Sequence, residues 1–273
     1  MRQSIEKCSG LSSAGLRNIA EISMLIDHTA QTLYMTYLRS SGIEDCYTDP
    51  LFSAMIFIGR LAFPIFAFLL AEGAHHSRDR MKYACRLAVL SLVSIIPFRL
   101  AFSSQGVPSS NVFFTLLAGL LTIMVTEKIR DQFNSHSEFL IRFLQAFAVI
   151  CICTICLAIN SDYDLFGVLL ILIFYFLREN RSKMILCAAL LFIPLYFLSV
   201  LLKFINTLDF FYSLSQYLQF CLRVVKHEAP GILALPLIAL YNGNRGKALP
   251  KAFYYLFYPV HLILLVLIRE AIF

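Results

Sequence analysis

The chain has 273 residues, of which 59% are hydrophobic and only 15% are charged. Soluble domains carry roughly 45–50% apolar and about 25% charged residues, so this composition excludes a soluble enzyme. The 25 phenylalanines exclude a disordered or collagen-like chain, and a thinly spread net charge of +6 excludes a nucleic-acid-binding protein. The composition therefore indicates an integral membrane protein.

Continuous apolar runs follow one another along the chain, without the period-two alternation of barrel strands. Because a helix needs about 20 apolar residues to cross a bilayer, the runs predict an all-α, polytopic bundle of about nine transmembrane helices. The eighth run is too short to cross the membrane alone. Residues 214–225 either complete this span or lie on the membrane, so the number of spans is roughly eight to ten. The predicted spans are 16–38, 51–72, 83–102, 111–126, 139–159, 162–177, 184–202, 230–241 and 254–268.

Loop charge predicts the orientation of these spans. The loops HHSRDRMKYACR, RENRSK and NGNRGKALPK are rich in Lys and Arg, whereas the alternate loops SSGIEDCYTDP, SSQGVPSS and NSDYD contain neither. Lys and Arg accumulate in cytoplasmic loops. The pattern therefore places the N-terminus in the cytoplasm and the C-terminus outside, a parity that nine spans satisfy.

The first predicted span carries ionisable residues, which are costly inside a membrane and usually mark function. At about 100° per residue, Arg17, Glu21, Met24 and His28 fall on one stripe that runs from the cytoplasm to mid-membrane. Such a stripe predicts the wall of a polar cavity, ending at His28 with Asp27 beside it. Because imidazole exchanges a proton near neutral pH, His28 is a candidate for acid–base chemistry. The alternative is a structural Asp–His pair that joins neighbouring helices.

Other polar residues of the spans are candidates for the same site. Arg60 lies near mid-depth in the second span, where Asp27 is the nearest acid, so the two are predicted to pair. The pair either holds the first two helices in register or leaves Arg60 to bind an anionic group. Glu72, Asn111 and His261 are expected either to contact substrate or to stabilise the structure.

A set of stretches, taken together and in order along the chain, resembles the TraX family, which is named for N-terminal acetylation of a conjugative pilin. The family's IDH motif falls on residues 26–28, its GR-x-A-F-P motif on 59–64 and its YP-x-H-L motif on 258–262. The resemblance covers most of the chain from residue 16. The stretches are LRNIAEISMLIDH, GRLAFPIFAFLLAEG, RLAVLSLVSIIPF, NVFFTLLAGLL, SDYDLFGVLLIL, LPLIALYNGNRG and FYYLFYPVHLILL.

The resemblance implies a multi-pass acetyltransferase of the bacterial inner membrane that uses acetyl-CoA. Residues 1–15 are then a cytoplasmic tail, and residues 16–273 form a single TraX-like domain. We expect His28 to act as general base on an acceptor amine or hydroxyl, Asp27 to fix its ring, and Arg60 to position or polarise an anionic oxygen. The expected acceptor is a pilin-like peptide N-terminus or a surface glycan, and no nucleic acid is involved.

Coenzyme A is anionic, so we expect its phosphates at the basic inner loops and its pantetheine arm along the polar stripe. The expected coenzyme-binding residues are Arg17, Glu21, Arg78, Arg80, Lys82 and Arg86. No metal is expected, because the CICTIC cysteines have no fourth ligand near them in sequence. One rival is a proton-coupled transporter that uses the same Asp, His and Arg cluster, and another is a non-catalytic assembly factor for surface proteins.

Overall fold

The computed structural model describes residues 10–102, 110–192 and 229–273. Within these ranges the chain is helical, and β-type pairing is confined to two isolated bridges, Leu11–Tyr241 and Ser110–Ser161. A π-helical segment, Ala30–Tyr34, joins the first two helices, and short 3-10 turns cover Cys46–Thr48 and Ala229–Leu233. The α-helices are α1 (Ser13–Thr29), α2 (Met35–Ser40), α3 (Pro50–Gly59), α4 (Ala62–His76), α5 (Arg80–Val93), α6 (Ile95–Phe102), α7 (Val112–Gln132), α8 (Glu138–Ala158), α9 (Asp164–Phe176), α10 (Arg181–Leu191), α11 (Ala234–Ala239) and α12 (Lys251–Ile272).

The described residues include four helices that are long and apolar enough to cross a membrane: Pro50–His76, Val112–Gln132, Glu138–Ala158 and Ala252–Ile272. A fifth span results if α5 and α6, which are bent by 41° relative to each other, are counted as one. The predicted all-helical membrane class is confirmed, while the count of nine stays a prediction. Two of the predicted spans correspond to shorter apolar helices, Asp164–Phe176 and Ala229–Ala239. Residues 193–202 and the predicted segment 214–225 lie outside the described residues.

Prolines mark three of the helix starts. Pro64, Pro97 and Pro236 each occupy the third position of a helix, in α4, α6 and α11. The first N–H groups of a helix have no partner within it, so a proline there removes no hydrogen bond. The predicted span 51–72 is consequently divided into α3 and α4, with Arg60 and Leu61 at the junction.

The two ends of the bundle differ in charge. We call one the basic-loop end; it comprises loops 77–79, 177–180 and 240–250, and it includes the start of α1, where Ser13 and Ala14 donate backbone hydrogen bonds to the carbonyls of Asn244 and Arg245. We call the other the acidic-loop end; it comprises loops 41–49 and 159–163, which contain acids but no Lys or Arg. The basic and acidic loops that alternate along the sequence therefore lie at opposite ends of the bundle.

Helix α4 lies at the centre of the packing, against α1, α9 and α11. Its buried residues combine small alanines with larger apolar side chains, including Ala67, Phe68 and Ala71. Small residues let helix backbones approach closely in a membrane, where association depends on packing and on interhelical hydrogen bonds. At the neighbouring α3, a Cβ on Gly59 would overlap the Asp27 side chain, so glycine is required where α1 and α3 meet.

Candidate functional site

The helix that carries the polar stripe changes its winding immediately after His28. The π-helical segment begins two residues later, at Ala30, and the Thr32 hydroxyl donates to the His28 carbonyl at 2.5 Å. A π-helical turn needs an extra residue and shifts the side chains that follow it around the helix axis, and such turns are frequent at functional sites. Here the shift separates the face of α1 that bears His28 from the continuation of the helix in α2.

His28 forms a buried hydrogen bond with His261 of α12. The Nδ1 atom of His28 lies 2.7 Å from the Nε2 atom of His261, and the two side chains are 233 residues apart in sequence. Both residues are buried, at 9% and 5% exposure. The two rings are parallel within 5°, with centroids 5.0 Å apart. A nitrogen–nitrogen distance this short is incompatible with face-to-face stacking, so the hydrogen bond lies in the plane of both rings.

A backbone carbonyl assigns the protons of this pair. The Nδ1 atom of His261 is 2.7 Å from the carbonyl oxygen of Phe257, which accepts only, so the proton of neutral His261 is on Nδ1. The Nε2 atom of His261 then accepts a hydrogen bond from Nδ1–H of His28. This assignment leaves a lone pair on Nε2 of His28, the form in which imidazole acts as a base.

Asp27 and Arg60 form the second polar group of the site. The Arg60 Nη2 atom lies 3.1 Å from Oδ1 of Asp27, and the Gln31 side chain donates to the other carboxylate oxygen. The predicted ion pair is therefore present. The sequence predicts that Asp27 fixes the His28 ring. In the structure, His261 holds this ring instead. Consecutive helical side chains point about 100° apart, so Asp27 faces α3 while His28 faces α12.

Two cavities follow the polar stripe, and we name each after its lining residues. The histidine cavity, of about 270 Å³, is lined by Asp27, His28 and Arg60 and reaches Tyr47 and Asp162 at the acidic-loop end. The arginine cavity, of about 500 Å³, is lined by Arg17, Glu21, Arg86 and Arg245 and lies at the basic-loop end. Four residues line both cavities, and we call them the septum: Met24, Phe66, Val112 and Tyr258.

The predicted coenzyme-binding residues divide between the arginine cavity and other positions. Arg17, Glu21 and Arg86 line the cavity, and the Arg17 guanidinium lies 4.5 Å from the centroid of the Tyr254 ring. The remaining three basic residues have other surroundings. Arg78 is exposed, Lys82 pairs with Asp79 at 3.2 Å, and Arg80 donates to Glu127, to the Tyr175 hydroxyl at 2.7 Å and to the Ala74 carbonyl at 2.8 Å.

Glu72 and Asn111 have structural partners. Glu72 Oε1 accepts from Nε of Arg178 at 2.6 Å, and this hydrogen bond raises the pKa of Arg178. Asn111 accepts from the Phe113 N–H at 3.1 Å and donates to the Ser91 carbonyl at 2.8 Å, so it caps α7 and ties it to α5. Both residues therefore join elements of the bundle, which is the structural alternative that the sequence left open.

Arg245 and Tyr258, which line the cavities, were not among the predicted site residues. Arg245 is part of the basic NGNRGKALPK loop, but only the contact of this loop with the start of α1 brings it beside Arg17. Tyr258 lies three residues before His261, and side chains at this spacing share a helix face. That spacing in the YP-x-H-L motif is the signal from which Tyr258 is predictable.

Comparison with known proteins assigns the chain to a family. The sequence model of the family described as "TraX protein" matches residues 12–269. The chain is also 26% identical over 262 residues to a protein of Dichelobacter nodosus, with 92% of each chain covered. That relative is described as "Probable fimbrial assembly protein FimC, serogroup H1". No solved structure matches.

Proposed function

Because the chain belongs to the TraX family, we propose that it is a membrane-embedded acetyltransferase that moves an acetyl group from acetyl-CoA to an amine or hydroxyl. The observation that carries this proposal is the His28–His261 pair, with His28 on the histidine cavity and the arginine cavity on the other side of the septum. The name of the relative supports a pilin-like peptide as the acceptor, and a surface glycan is the alternative acceptor.

For the membrane topology we propose nine spans in the bacterial inner membrane, with a cytoplasmic N-terminus. Four to five apolar helices within the described residues and the separation of basic from acidic loops support this arrangement. Lys and Arg accumulate on the cytoplasmic side. The basic-loop end then faces the cytoplasm, where acetyl-CoA is available, and the histidine cavity faces the opposite side, from which the acceptor would enter.

The arginine cavity fits the phosphates of coenzyme A. Arg17 comes from α1, Arg86 from α5 and Arg245 from the loop before α12, so three separate elements direct positive charge toward one space. Guanidinium groups bind phosphate oxygens with paired hydrogen bonds. Acetyl-CoA would supply a thioester, whose acyl carbon is activated for transfer. The stripe from Glu21 to Met24 then leads from this cavity to His28.

The proposed reaction needs one base and one stabilising cation. His28 Nε2 takes the proton of the acceptor amine or hydroxyl as the acyl carbon–sulfur bond breaks and the carbon–nitrogen or carbon–oxygen bond forms. The same proton then passes from His28 to the coenzyme A thiolate, so charge and atoms balance. Arg60, neutralised by Asp27, lies beside His28 on the histidine cavity, where it would stabilise the developing oxyanion. An acetylated His28 is a two-step variant of this reaction.

We expect His261→Ala to lower kcat for acetyl transfer by roughly 10–100-fold, which is part of what a positioned general base supplies. The variant removes the acceptor that holds the Nδ1–H of His28. His261→Gln keeps an acceptor oxygen at this position and should recover part of the rate. The KM for acetyl-CoA should stay unchanged in both variants, since His261 does not line the arginine cavity. Equal rates in all three proteins, measured with the purified enzyme in nanodiscs, would remove His261 from the account.

A matched pair of arginine variants tests the coenzyme site. Arg245→Ala should raise the KM for acetyl-CoA about tenfold or more, because hydrogen bonds to charged groups contribute ~1.5–3 kcal/mol. Arg142→Ala removes the same charge from an exposed position of α8 that lines neither cavity, so its KM should match the wild type. Equal effects of the two substitutions on KM would show that the basic loops attract the coenzyme only through their total charge.

A proton-coupled transporter is the second candidate, because two cavities that meet on one polar stripe also suit alternating access. Sealed vesicles with labelled acetyl-CoA separate the two functions. Release of coenzyme A together with acetylation of an added peptide supports the enzyme. Uptake of label without release of coenzyme A supports the transporter, and failure of both assays supports a non-catalytic assembly factor.

A further inference from the structure

We propose that the septum limits the transferred acyl group to a short chain such as acetyl, and that Met24 sets this limit. The inference rests on the proposed acyl transfer and adds the residues that select the acyl donor. The group-transfer step is unchanged: the acyl carbon–sulfur bond breaks, the bond to the acceptor forms, and the acceptor proton passes through His28 to the thiolate.

The septum is assembled from four helices and is packed on both sides. Met24 comes from α1, Phe66 from α4, Val112 from α7 and Tyr258 from α12, and each of the four lines both cavities. The Tyr258 ring is held edge-on between Phe113, at 4.8 Å between centroids, and His28, at 5.8 Å. It is only 3% exposed. A single layer of side chains therefore separates the arginine cavity from the space beside His28.

Met24 stands on the direct path between the two cavities. It lies three residues after Glu21, which lines only the arginine cavity, and four residues before His28, which lines only the histidine cavity. Four residues of α-helix rise about 6 Å, so the Met24 side chain occupies the turn between them. An acyl carbon held on a thioester from the basic-loop end must pass this side chain to reach Nε2 of His28.

The four septum residues differ in the flexibility of their side chains. Phe66 and Tyr258 are rigid aromatic rings, and Val112 is β-branched and stiff at its first torsion angle. Met24 is unbranched and adapts its shape to irregular spaces. A short acyl group therefore needs only a change of the Met24 rotamer. A longer chain needs more space than a rotamer change of Met24 releases, because the three stiffer residues fix the other sides of the septum.

The test compares acyl donors on purified wild type and Met24→Ala in nanodiscs, using acetyl-, butyryl- and hexanoyl-CoA with the same acceptor. We expect the ratio of kcat/KM for hexanoyl-CoA to that for acetyl-CoA to rise about tenfold or more in Met24→Ala, since single methylenes in apolar pockets discriminate by roughly 10–200-fold. Met184→Ala removes a methionine of α10 that is also buried but lines neither cavity, and it should keep the wild-type ratio.

Each outcome decides a separate point. A wild type that transfers acetyl, with the same acyl preference in Met24→Ala, overturns the septum proposal alone. A wild type that transfers no acyl group overturns the proposed function and the septum proposal with it. If Met24→Ala does not give a monodisperse protein, Met24→Val shortens the same side chain with less loss of packing, and an unchanged ratio there overturns the proposal equally.

Discussion

Replacement of His28 by alanine is expected to lower the rate of acetyl transfer by about 10²–10⁴-fold, the contribution of a positioned general base. His28 is the imidazole whose Nε2 lone pair is left available by the hydrogen bonds His28–His261–Phe257. The measurement is the release of coenzyme A and the acetylation of a peptide acceptor by purified protein in nanodiscs. Binding of coenzyme A should persist, because the arginine cavity does not include His28.

A second histidine provides the control for this substitution. His136 is exposed in the turn between α7 and α8 and lines neither cavity, so His136→Ala should transfer acetyl groups at the wild-type rate. Undiminished transfer by His28→Ala, with the acetylated product verified by mass spectrometry, would remove His28 from the mechanism.

Replacement of Arg60 by alanine is expected to lower the free energy of unfolding by about 3–5 kcal/mol, because the buried Asp27 carboxylate loses its guanidinium partner. The double variant Asp27→Asn, Arg60→Gln removes both charges and should lose much less stability. Thermal unfolding in detergent, followed by size-exclusion chromatography, compares the stability of both variants with that of the wild type. Acetyl transfer should fall in each variant, since Arg60 lines the cavity beside His28.

The comparison of these two variants separates the roles of the pair. If Arg60→Ala and the double variant are equally unstable, Arg60 does not stabilise the protein by compensating the charge of Asp27. If the double variant is stable and still transfers acetyl groups at the wild-type rate, the ion pair serves only to hold α1 against α3.

The part of the site that lies on one helix was predictable from the sequence. Helical periodicity alone places Arg17, Glu21, Met24 and His28 on a stripe, and the structure lines two cavities with these residues. The pairing of Asp27 with Arg60 followed from equal depth in adjacent spans, since a lone buried charge is too costly. Such inferences succeed because they depend on the geometry of a single helix or of two that are consecutive.

The contacts between distant segments were not predictable in this way. His261 lies 233 residues after His28, and no local pattern states which of the helices meets α1. Arg245 reaches the arginine cavity through backbone hydrogen bonds between the start of α1 and residues 244–245. The breaks at Arg60 and Ser94 within two of the predicted spans were also not predicted, because apolar runs continue across them. These features depend on tertiary packing, which hydropathy does not record.

The most direct test of the account supplies donor and acceptor from opposite sides of one membrane. The protein is inserted in sealed vesicles, acetyl-CoA labelled in its acetyl group is added on the side of the basic loops, and an acceptor peptide is enclosed on the other side. We expect labelled peptide inside and free coenzyme A outside, in equal amounts and dependent on His28. Labelled peptide formed only when donor and acceptor share a compartment, or label that enters without release of coenzyme A, would contradict it.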